Sequence, residues 1–101
     1  VATIQTPAAQ KFVADYRARY NADPEKYAQA GYDCARMLSI AIDKAGSLDT
    51  EKVREQLSAI QYEGPQGKAH FDGKNQLIID EYIIGVKDGN FEVIAGPISV
   101  F

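Results

Sequence analysis

The residue types that carry out chemistry are scarce in this sequence and stand far apart. His70 is the only histidine and Cys34 the only cysteine. No serine or cysteine stands beside His70, so a catalytic triad would need distant partners, and the pair is no metal-ligand set of usual spacing. We therefore predict that His70 is a strand residue at a surface or interface. We predict that Cys34 is buried in a helix, because free cysteine behaves as a small hydrophobic residue.

Three short segments resemble known sites but lack essential parts of them. In Asp72-Gly73-Lys74-Asn75 a lysine stands where a calcium loop needs an oxygen ligand, so the segment predicts a turn. Gly64-Pro65-Gln66-Gly67 is followed neither by Lys-Ser/Thr nor by a helix, as a phosphate loop would be. Asp80 and Glu81 are adjacent and would point to opposite faces of a strand. We expect no catalytic residue, no metal ligand and no cofactor.

The tyrosines are more informative, above all Tyr27 and Tyr32 in a long helical segment. They are five residues apart, so they cannot share one narrow stripe of a helix. One of them must therefore face something other than the main contact of the helix. Two interpretations remain open: a second packing surface, or the aromatic wall of a ligand site with a few polar groups beside it.

The pattern predicts three helices that position these residues. Each begins after a capping residue, and Pro follows the first two caps at the first helical position. The first helix runs from about Thr6 to Tyr20 and ends at Asn21, the second begins at Asp23-Pro24 and ends at Gly46, and the third is capped by Asp49. Apolar and small residues cover a wide face of the second helix, which therefore needs a sheet that this chain lacks.

Strands follow the helices. Leu77 to Val86 is rich in Ile and Val and predicts one strand. Asp88-Gly89 predicts a hairpin turn, with Phe91 to Ile94 as the return strand. Pro97 is expected to weaken further pairing, because proline cannot donate to a strand ladder.

Composition and charge narrow the class of protein. With 101 residues, 25% of them charged and 46% hydrophobic, the chain is at most one domain with an ordinary globular composition. A net charge of −3 argues against a nucleic-acid partner. No apolar run approaches the ~20 residues of a membrane span. The lone cysteine leaves the redox compartment open, and the start at Val1 without Met suggests a processed or excised chain.

An ordered set of motifs resembles one known family. It comprises Phe12-Val13-Ala14-Asp15-Tyr16 with Arg19-Tyr20-Asn21 and Asp23-Pro24, then Tyr27-Ala28 with Tyr32-Asp33, then Ala41-Ile42 with Lys44-Ala45-Gly46-Ser47 and Asp49, and finally Gly64-x-x-Gly67-x-x-x-Phe71-Asp72. In this order they resemble the branched-chain-amino-acid-type (Leu/Ile/Val) substrate-binding proteins of ABC transporters, which have the type 1 periplasmic binding protein fold.

The resemblance implies an α/β fold that is incomplete as a lobe: the C-terminal part of a type 1 periplasmic binding protein, with three helices and then antiparallel strands. Residues 1–79 would belong to the first lobe, and residues 80–101 would form the hinge crossing and terminal strands of the second. The protein would be a periplasmic or extracytoplasmic binding protein, not an enzyme. Its partners would be a small ligand, an ABC permease in the membrane, and the missing remainder of its own chain or a second copy.

The resemblance also places the beginning of the long helix near the ligand cleft. The matching positions are Tyr27, Gln29, Ala30 and Tyr32, with Tyr27 as an aromatic wall and Gln29 as a hydrogen-bonding amide. Aliphatic amino acids, amides and aromatic acids all remain possible ligands. Two other functions remain open: a sensory or regulatory domain of the same fold, and a small standalone α+β interaction module that owes its likeness to chance.

Overall fold

The computed structural model describes residues 3–98. Within them three helices precede five strands. They are α1 (Pro7–Tyr20), α2 (Lys26–Ala45), α3 (Thr50–Ser58), β1 (Tyr62–Gly64), β2 (Gly67–Phe71), β3 (Leu77–Ile79), β4 (Glu81–Lys87) and β5 (Asn90–Ile98). This order confirms the predicted fold class. None of the described helices is long and apolar enough to cross a membrane.

Local capping residues set most of the helix ends. The Thr6 hydroxyl accepts a hydrogen bond from the Ala9 amide at 3.2 Å, and an Asp49 carboxylate oxygen accepts one from the Lys52 amide at 3.1 Å. Asn21 and Gly46 follow α1 and α2 in the left-handed conformation, with φ of 53° and 61°. These four positions confirm the predicted caps.

The start of α2 differs from the prediction. The helix begins at Lys26, and Glu25 occupies the capping position without a side-chain hydrogen bond to the helix. Asp23 does not cap the helix, because its carboxylate accepts a hydrogen bond from the Arg17 guanidinium near the end of α1. That bond also lowers the pKa of Asp23. The predicted cap was wrong because an ion-pair partner earlier in the chain competes for the carboxylate.

The first sheet is antiparallel, with strand order β1-β2-β3. Its core is a cluster of four buried residues from α2, β1, β2 and the turn after α3: Met37, Ile60, Tyr62 and Ala69. Ile40, Leu57, Phe71 and Ile79 pack around this cluster. The sheet therefore contacts only one stripe of α2, whose buried members are Gln29, Asp33, Met37 and Ala41.

The position of Cys34 contradicts the prediction that it is buried. Its side chain is exposed, as are those of Tyr27 and Leu38 on the same side of α2. The small residues around Cys34 do not pack against the sheet, because the sheet takes the neighbouring stripe. Apart from α3 beside Leu38, no other described part of the chain covers this face.

The predicted strand from Leu77 to Val86 is two strands in two different sheets. β3 ends at Ile79, and β4 begins at Glu81 and pairs with β5 in a separate two-stranded sheet. Asp80 is the single residue between them, so Asp80 and Glu81 are not neighbours on one strand as predicted. Asp88 and Gly89 have positive φ values of 52° and 77° and form the predicted hairpin turn.

The second strand of the hairpin is longer than predicted. β5 continues through Pro97 to Ile98, which pairs with Glu81. The predicted end of the return strand at Ile94 was therefore wrong. The expectation that Pro97 weakens regular pairing is confirmed, because the register shifts between the Ile83–Ala95 and Glu81–Ile98 pairs and leaves Pro97 without a regular partner. Register shifts between Glu81 and Ile84 make the ladder irregular at that end of the hairpin.

The helix caps generate the first prediction. Thr6→Ala should lower the free energy of unfolding by about 1 kcal/mol, because the Ala9 amide loses its acceptor. Asp23→Ala should cost less, because Asp23 caps no helix and its pair with Arg17 is exposed to solvent. Urea unfolding of the complete protein that contains this chain, followed by circular dichroism, measures both. A larger loss for Asp23→Ala than for Thr6→Ala would contradict the assigned start of α2.

Candidate functional site

The N-terminal end of α2 carries the four residues that the resemblance placed at the ligand cleft. Tyr27 is 82% exposed, Ala30 is half-buried, Tyr32 is 43% exposed and Gln29 is only 7% exposed. Tyr27 and Tyr32 lie on different faces, as their spacing predicted. The structure thus brings one free aromatic side chain, one small residue and one buried amide to the first turns of the helix.

Gln29 belongs to a buried polar cluster formed with Asp33 and Tyr62. The Tyr62 hydroxyl donates a hydrogen bond to Asp33 Oδ1 at 2.7 Å, and the Gln29 amide nitrogen donates to Asp33 Oδ2. Asp33 is 3% exposed and Tyr62 is 6% exposed. The cluster therefore joins the first turns of α2 to β1 and fixes the position of the helix along its axis relative to the sheet.

Burial sets the electrostatics of this cluster. Desolvation raises the pKa of the Asp33 carboxyl, and the hydrogen bonds from Tyr62 and Gln29 oppose that rise. Desolvation also raises the pKa of the Tyr62 hydroxyl, and the Asp33 carboxylate raises it further. Tyr62 therefore stays protonated and acts as a hydrogen-bond donor.

Gly64 allows the Tyr62 ring to reach Asp33. A Cβ atom at position 64 would lie 2.6 Å from two carbons of that ring, which is closer than real atoms approach. The ring thus lies over the backbone at the end of β1. The first glycine of the Gly64-x-x-Gly67 motif has a packing role here.

Tyr32 packs against Phe12 of α1. Its ring centroid lies 4.9 Å from that of Phe12, and the Tyr16 and Tyr20 rings continue the aromatic row at 4.6 Å from each other. These rings line a groove of about 510 Å³ between α1, α2 and β1. Tyr32 therefore belongs to a second packing surface, which was the first of the two interpretations. Most of Tyr27, in contrast, is not covered by any other described residue.

The described residues offer no metal centre. No group of three or more His, Cys, Asp or Glu side chains among residues 3–98 could hold an ion. Asp72 Oδ1 accepts the Lys74 and Gln76 amides at 2.7 and 2.9 Å, so this carboxylate organises a turn. His70 lies on β2 opposite Ile78, which confirms it as a strand residue.

Gln29 was proposed from the sequence as a site residue, but its hydrogen-bond partners were not predicted. Gln29 and Asp33 are four residues apart, a spacing that places two side chains together on a helix. The third member, Tyr62, is 29 residues beyond Asp33. No local signal connects it to the helix.

The comparison with known families identifies the class of this protein. The family model described as "Periplasmic binding protein" matches residues 1–90. The chain belongs to this family.

Solved structures agree with the family match. A leucine-binding protein from Thermotoga maritima is 32% identical, covers 90% of this chain and superposes with a TM-score of 0.76. An ABC transporter substrate-binding protein from Desulfitobacterium hafniense in complex with Leu is 31% identical over 93% of this chain, with a TM-score of 0.79. A Rhodopseudomonas palustris solute-binding protein in complex with benzoate shares the fold over 98% of this chain, with 18% identity and a TM-score of 0.85.

The compared structures are several times longer than this chain. The chain spans 26% of the Thermotoga protein, 29% of the Desulfitobacterium protein and 28% of the Rhodopseudomonas protein.

The family match and the similar structures confirm the predicted likeness to branched-chain-amino-acid-type ABC binding proteins. The family match excludes chance as the source of this likeness.

The buried cluster generates the second prediction. Tyr62→Phe should lower the free energy of unfolding by about 1.5–3 kcal/mol, because the buried Asp33 carboxylate loses a donor. Tyr20→Phe removes the same hydroxyl at a tyrosine that is 58% exposed and should change little. Urea unfolding of the complete protein that contains this chain, at one fixed protein concentration, measures both variants. Equal losses would contradict the Asp33–Tyr62 bond.

The same cluster predicts a pH dependence. Because the pKa of Asp33 is raised in the folded state, its contribution to stability is fully present below its ordinary pKa of about 3.9 and is lost as the pH rises through the raised value. In Asp33→Asn this titration is absent. The stability of Asp33→Asn relative to the unchanged protein should therefore improve as the pH rises from about 4 towards neutrality. A difference that does not vary with pH would contradict the raised pKa.

Proposed function

We propose that this chain is the C-terminal part of a two-lobed, extracytoplasmic solute-binding component of an ABC importer. Such a protein captures a small molecule by closing its lobes and delivers it to a permease in the membrane, without catalysis. The observation that carries the proposal is the family match over residues 1–90. The likeness to a leucine-binding protein over 90% of the chain supports it.

The proposed ligand is an amino acid or a related small carboxylate. Two of the similar structures hold leucine and benzoate. Both molecules combine one carboxylate with an apolar body. An exposed aromatic side chain at the beginning of α2 suits the apolar part of such a ligand.

The proposed division of the chain is residues 1–79 in the first lobe and residues 80–101 in the crossing and second lobe. Its support is the separation of the two sheets. β3 belongs to the sheet under the helices, β4 belongs to the hairpin, and Asp80 alone connects them. A boundary between lobes at this point would break no strand pairing.

The proposed ligand-facing residues are Tyr27, Gln29, Ala30 and Tyr32. Tyr27 offers a free aromatic face and Ala30 leaves room beside it. The amide nitrogen of Gln29 already donates to Asp33, which leaves its amide oxygen as the group to offer a ligand. Tyr32 lies on a different face of α2 from Tyr27 and packs on Phe12, so only its partly exposed edge would reach the ligand.

Ligand binding is the third prediction. Leucine or benzoate should raise the melting temperature of the complete protein that contains this chain, since a ligand at 100 times its dissociation constant stabilises by about 2.7 kcal/mol. Tyr27→Ala should weaken the shift, because the ligand loses an aromatic contact. Leu48→Ala is the matched control: Leu48 is equally exposed, at 82%, but follows the far end of α2. Thermal-shift titration distinguishes them.

Two results would contradict this proposal in different ways. If no amino acid or small carboxylate shifts the melting temperature, the solute-binding function is wrong. If leucine shifts Tyr27→Ala and Leu48→Ala alike, the function stands but the placement of the site is wrong.

Self-association of the isolated 101-residue chain is the fourth prediction. Leu38 on α2 is 46% exposed, and in the hairpin Val86 and Phe91 are 70% and 71% exposed. Exposed apolar surfaces of this kind bind other copies when their normal cover is absent. Light scattering after size exclusion should show species larger than a monomer.

The hairpin offers a control for that prediction. Val86 and Phe91 are cross-strand partners, so Val86→Lys with Phe91→Glu keeps an attractive pair while removing apolar surface. The double variant should associate less. A cooperatively folded monomer of the unchanged chain would contradict the need for a complementary segment.

A further inference from the structure

Asp80 occupies the point where the chain leaves one sheet and enters the other. β2 and β3 pair antiparallel up to Ala69 opposite Ile79, so the next opposed residues are Lys68 and Asp80. After Asp80 the chain continues directly into β4 of the separate hairpin. Whatever fixes the backbone of Asp80 therefore fixes the direction in which β4 departs.

The carboxylate of Asp80 replaces a backbone group in the ladder. In an antiparallel hydrogen-bonded pair, each residue donates its N–H to the carbonyl of the other. Here the Asp80 amide donates to the Lys68 carbonyl at 3.2 Å, as in a regular ladder. The Lys68 amide, however, donates to Asp80 Oδ2 at 3.0 Å. The main-chain carbonyl of Asp80 is thereby released from the sheet, and the backbone can turn away.

The β1–β2 turn holds the released carbonyl. The Gln66 side-chain amide donates to the Asp80 carbonyl oxygen at 3.2 Å. Three hydrogen bonds, to Lys68 twice and to Gln66 once, thus hold the backbone and the side chain of this one residue. We call this set of contacts the Asp80 junction.

Gly67 makes room for the junction. Its φ is +128°, which side-chain-bearing residues rarely adopt, and a Cβ atom there would lie 2.5 Å from Asp80 Oδ2 and 2.8 Å from Asp80 Cβ. The second glycine of the Gly64-x-x-Gly67 motif is therefore required by the Asp80 carboxylate. Nothing in the cluster of Gln29, Asp33 and Tyr62 uses this glycine.

We propose that Asp80 is the positioning residue of the crossing between the lobes. The Asp80 junction restricts the angle between the sheet under the helices and the β4–β5 hairpin, and so limits the conformations from which the lobes close. This inference rests on the proposed two-lobed function. Loss of the carboxylate frees the crossing, and ligand binding must then order it, which lowers affinity.

The test compares Asp80→Ala with Asp72→Ala in the complete protein. Both wild-type carboxylates accept backbone amides, but Asp72 organises the turn between β2 and β3, away from the crossing. Asp80→Asn is a second control, because it keeps an acceptor oxygen at the same position. Spin labels at Glu55→Cys on α3 and Lys87→Cys on β4, in a Cys34→Ser background, report the angle as a distance distribution.

Three readouts are expected to change together. Hydrogen exchange at the Lys68 amide should be at least about tenfold faster in Asp80→Ala. The distance distribution should broaden, and the dissociation constant for leucine should rise about fivefold. Asp72→Ala and Asp80→Asn should leave the distance distribution narrow, even where the melting temperature falls.

Two results would overturn the inference. Unchanged exchange at Lys68 would mean that Asp80 does not accept its amide. If Asp80→Ala exchanges faster at Lys68 but keeps a distance distribution as narrow as that of Asp72→Ala, Asp80 ends the strand without restricting the crossing. If Asp80→Ala does not fold, Asp80→Glu takes its place, since it moves the carboxylate by one methylene against Gly67.

Failure of the proposed function is distinguishable from failure of this inference. Exchange and distance distributions need no ligand. If the unchanged protein binds neither leucine nor other small carboxylates, the solute-binding function is wrong, while these two readouts still decide whether the junction restricts the crossing.

Discussion

The hydrogen bond between the Tyr62 hydroxyl and the buried Asp33 carboxylate is the interaction on which the rest of this structure depends. It joins α2 to β1, across 29 residues of sequence, at 2.7 Å. The Tyr62 ring that makes it lies over Gly64, and Gly64 begins the turn that ends at Gly67, beside Asp80. A continuous series of contacts therefore runs from the first turns of α2 to the point where the chain leaves the sheet.

Burying a carboxylate costs free energy, and the position of Asp33 between α2 and β1 explains what the buried carboxylate contributes. Apolar contacts such as those of Met37 and Ala41 hold the helix on the sheet but are non-directional, so they tolerate small shifts along the helix axis. A hydrogen bond to one oxygen does not, because it weakens steeply with distance and angle. Gln29 accounts for the second oxygen, so neither oxygen of Asp33 is left without a partner. Because the position of α2 along its axis is fixed, the position of the exposed Tyr27 side chain is fixed as well.

The sequence predicted the features that depend on neighbouring residues and missed those that depend on distant ones. Thr6, Asn21, Gly46 and Asp49 act within one helical turn, and all four caps were predicted. Asp23 failed as a cap because Arg17 competes for it. Asp80 and Glu81 interrupt the Ile- and Val-rich segment from Leu77 to Val86, but no neighbouring residue shows that the strand breaks there. Only the hydrogen bonds to Lys68 and Gln66, on another strand and turn, reveal the break. For the proposed site, the resemblance to the family pointed to Gln29 and Tyr27, whereas the bond between Asp33 and Tyr62 could be seen only in the fold.

The buried polar groups of the described residues all have hydrogen-bond partners, whereas many of their apolar side chains stay exposed. Among residues 3–98, no buried side-chain nitrogen or oxygen lacks a hydrogen-bond partner. Apolar side chains, in contrast, stay exposed on α2 and on both faces of the hairpin, where Ile83 and Ile84 are adjacent and 51% and 42% exposed. A covering element would therefore gain stability by burying apolar area without disturbing any hydrogen bond of the Asp33 cluster or the Asp80 junction. The Asp33 cluster and the Asp80 junction can thus form before such an element packs. They fix the orientation of the apolar surfaces that the element then covers.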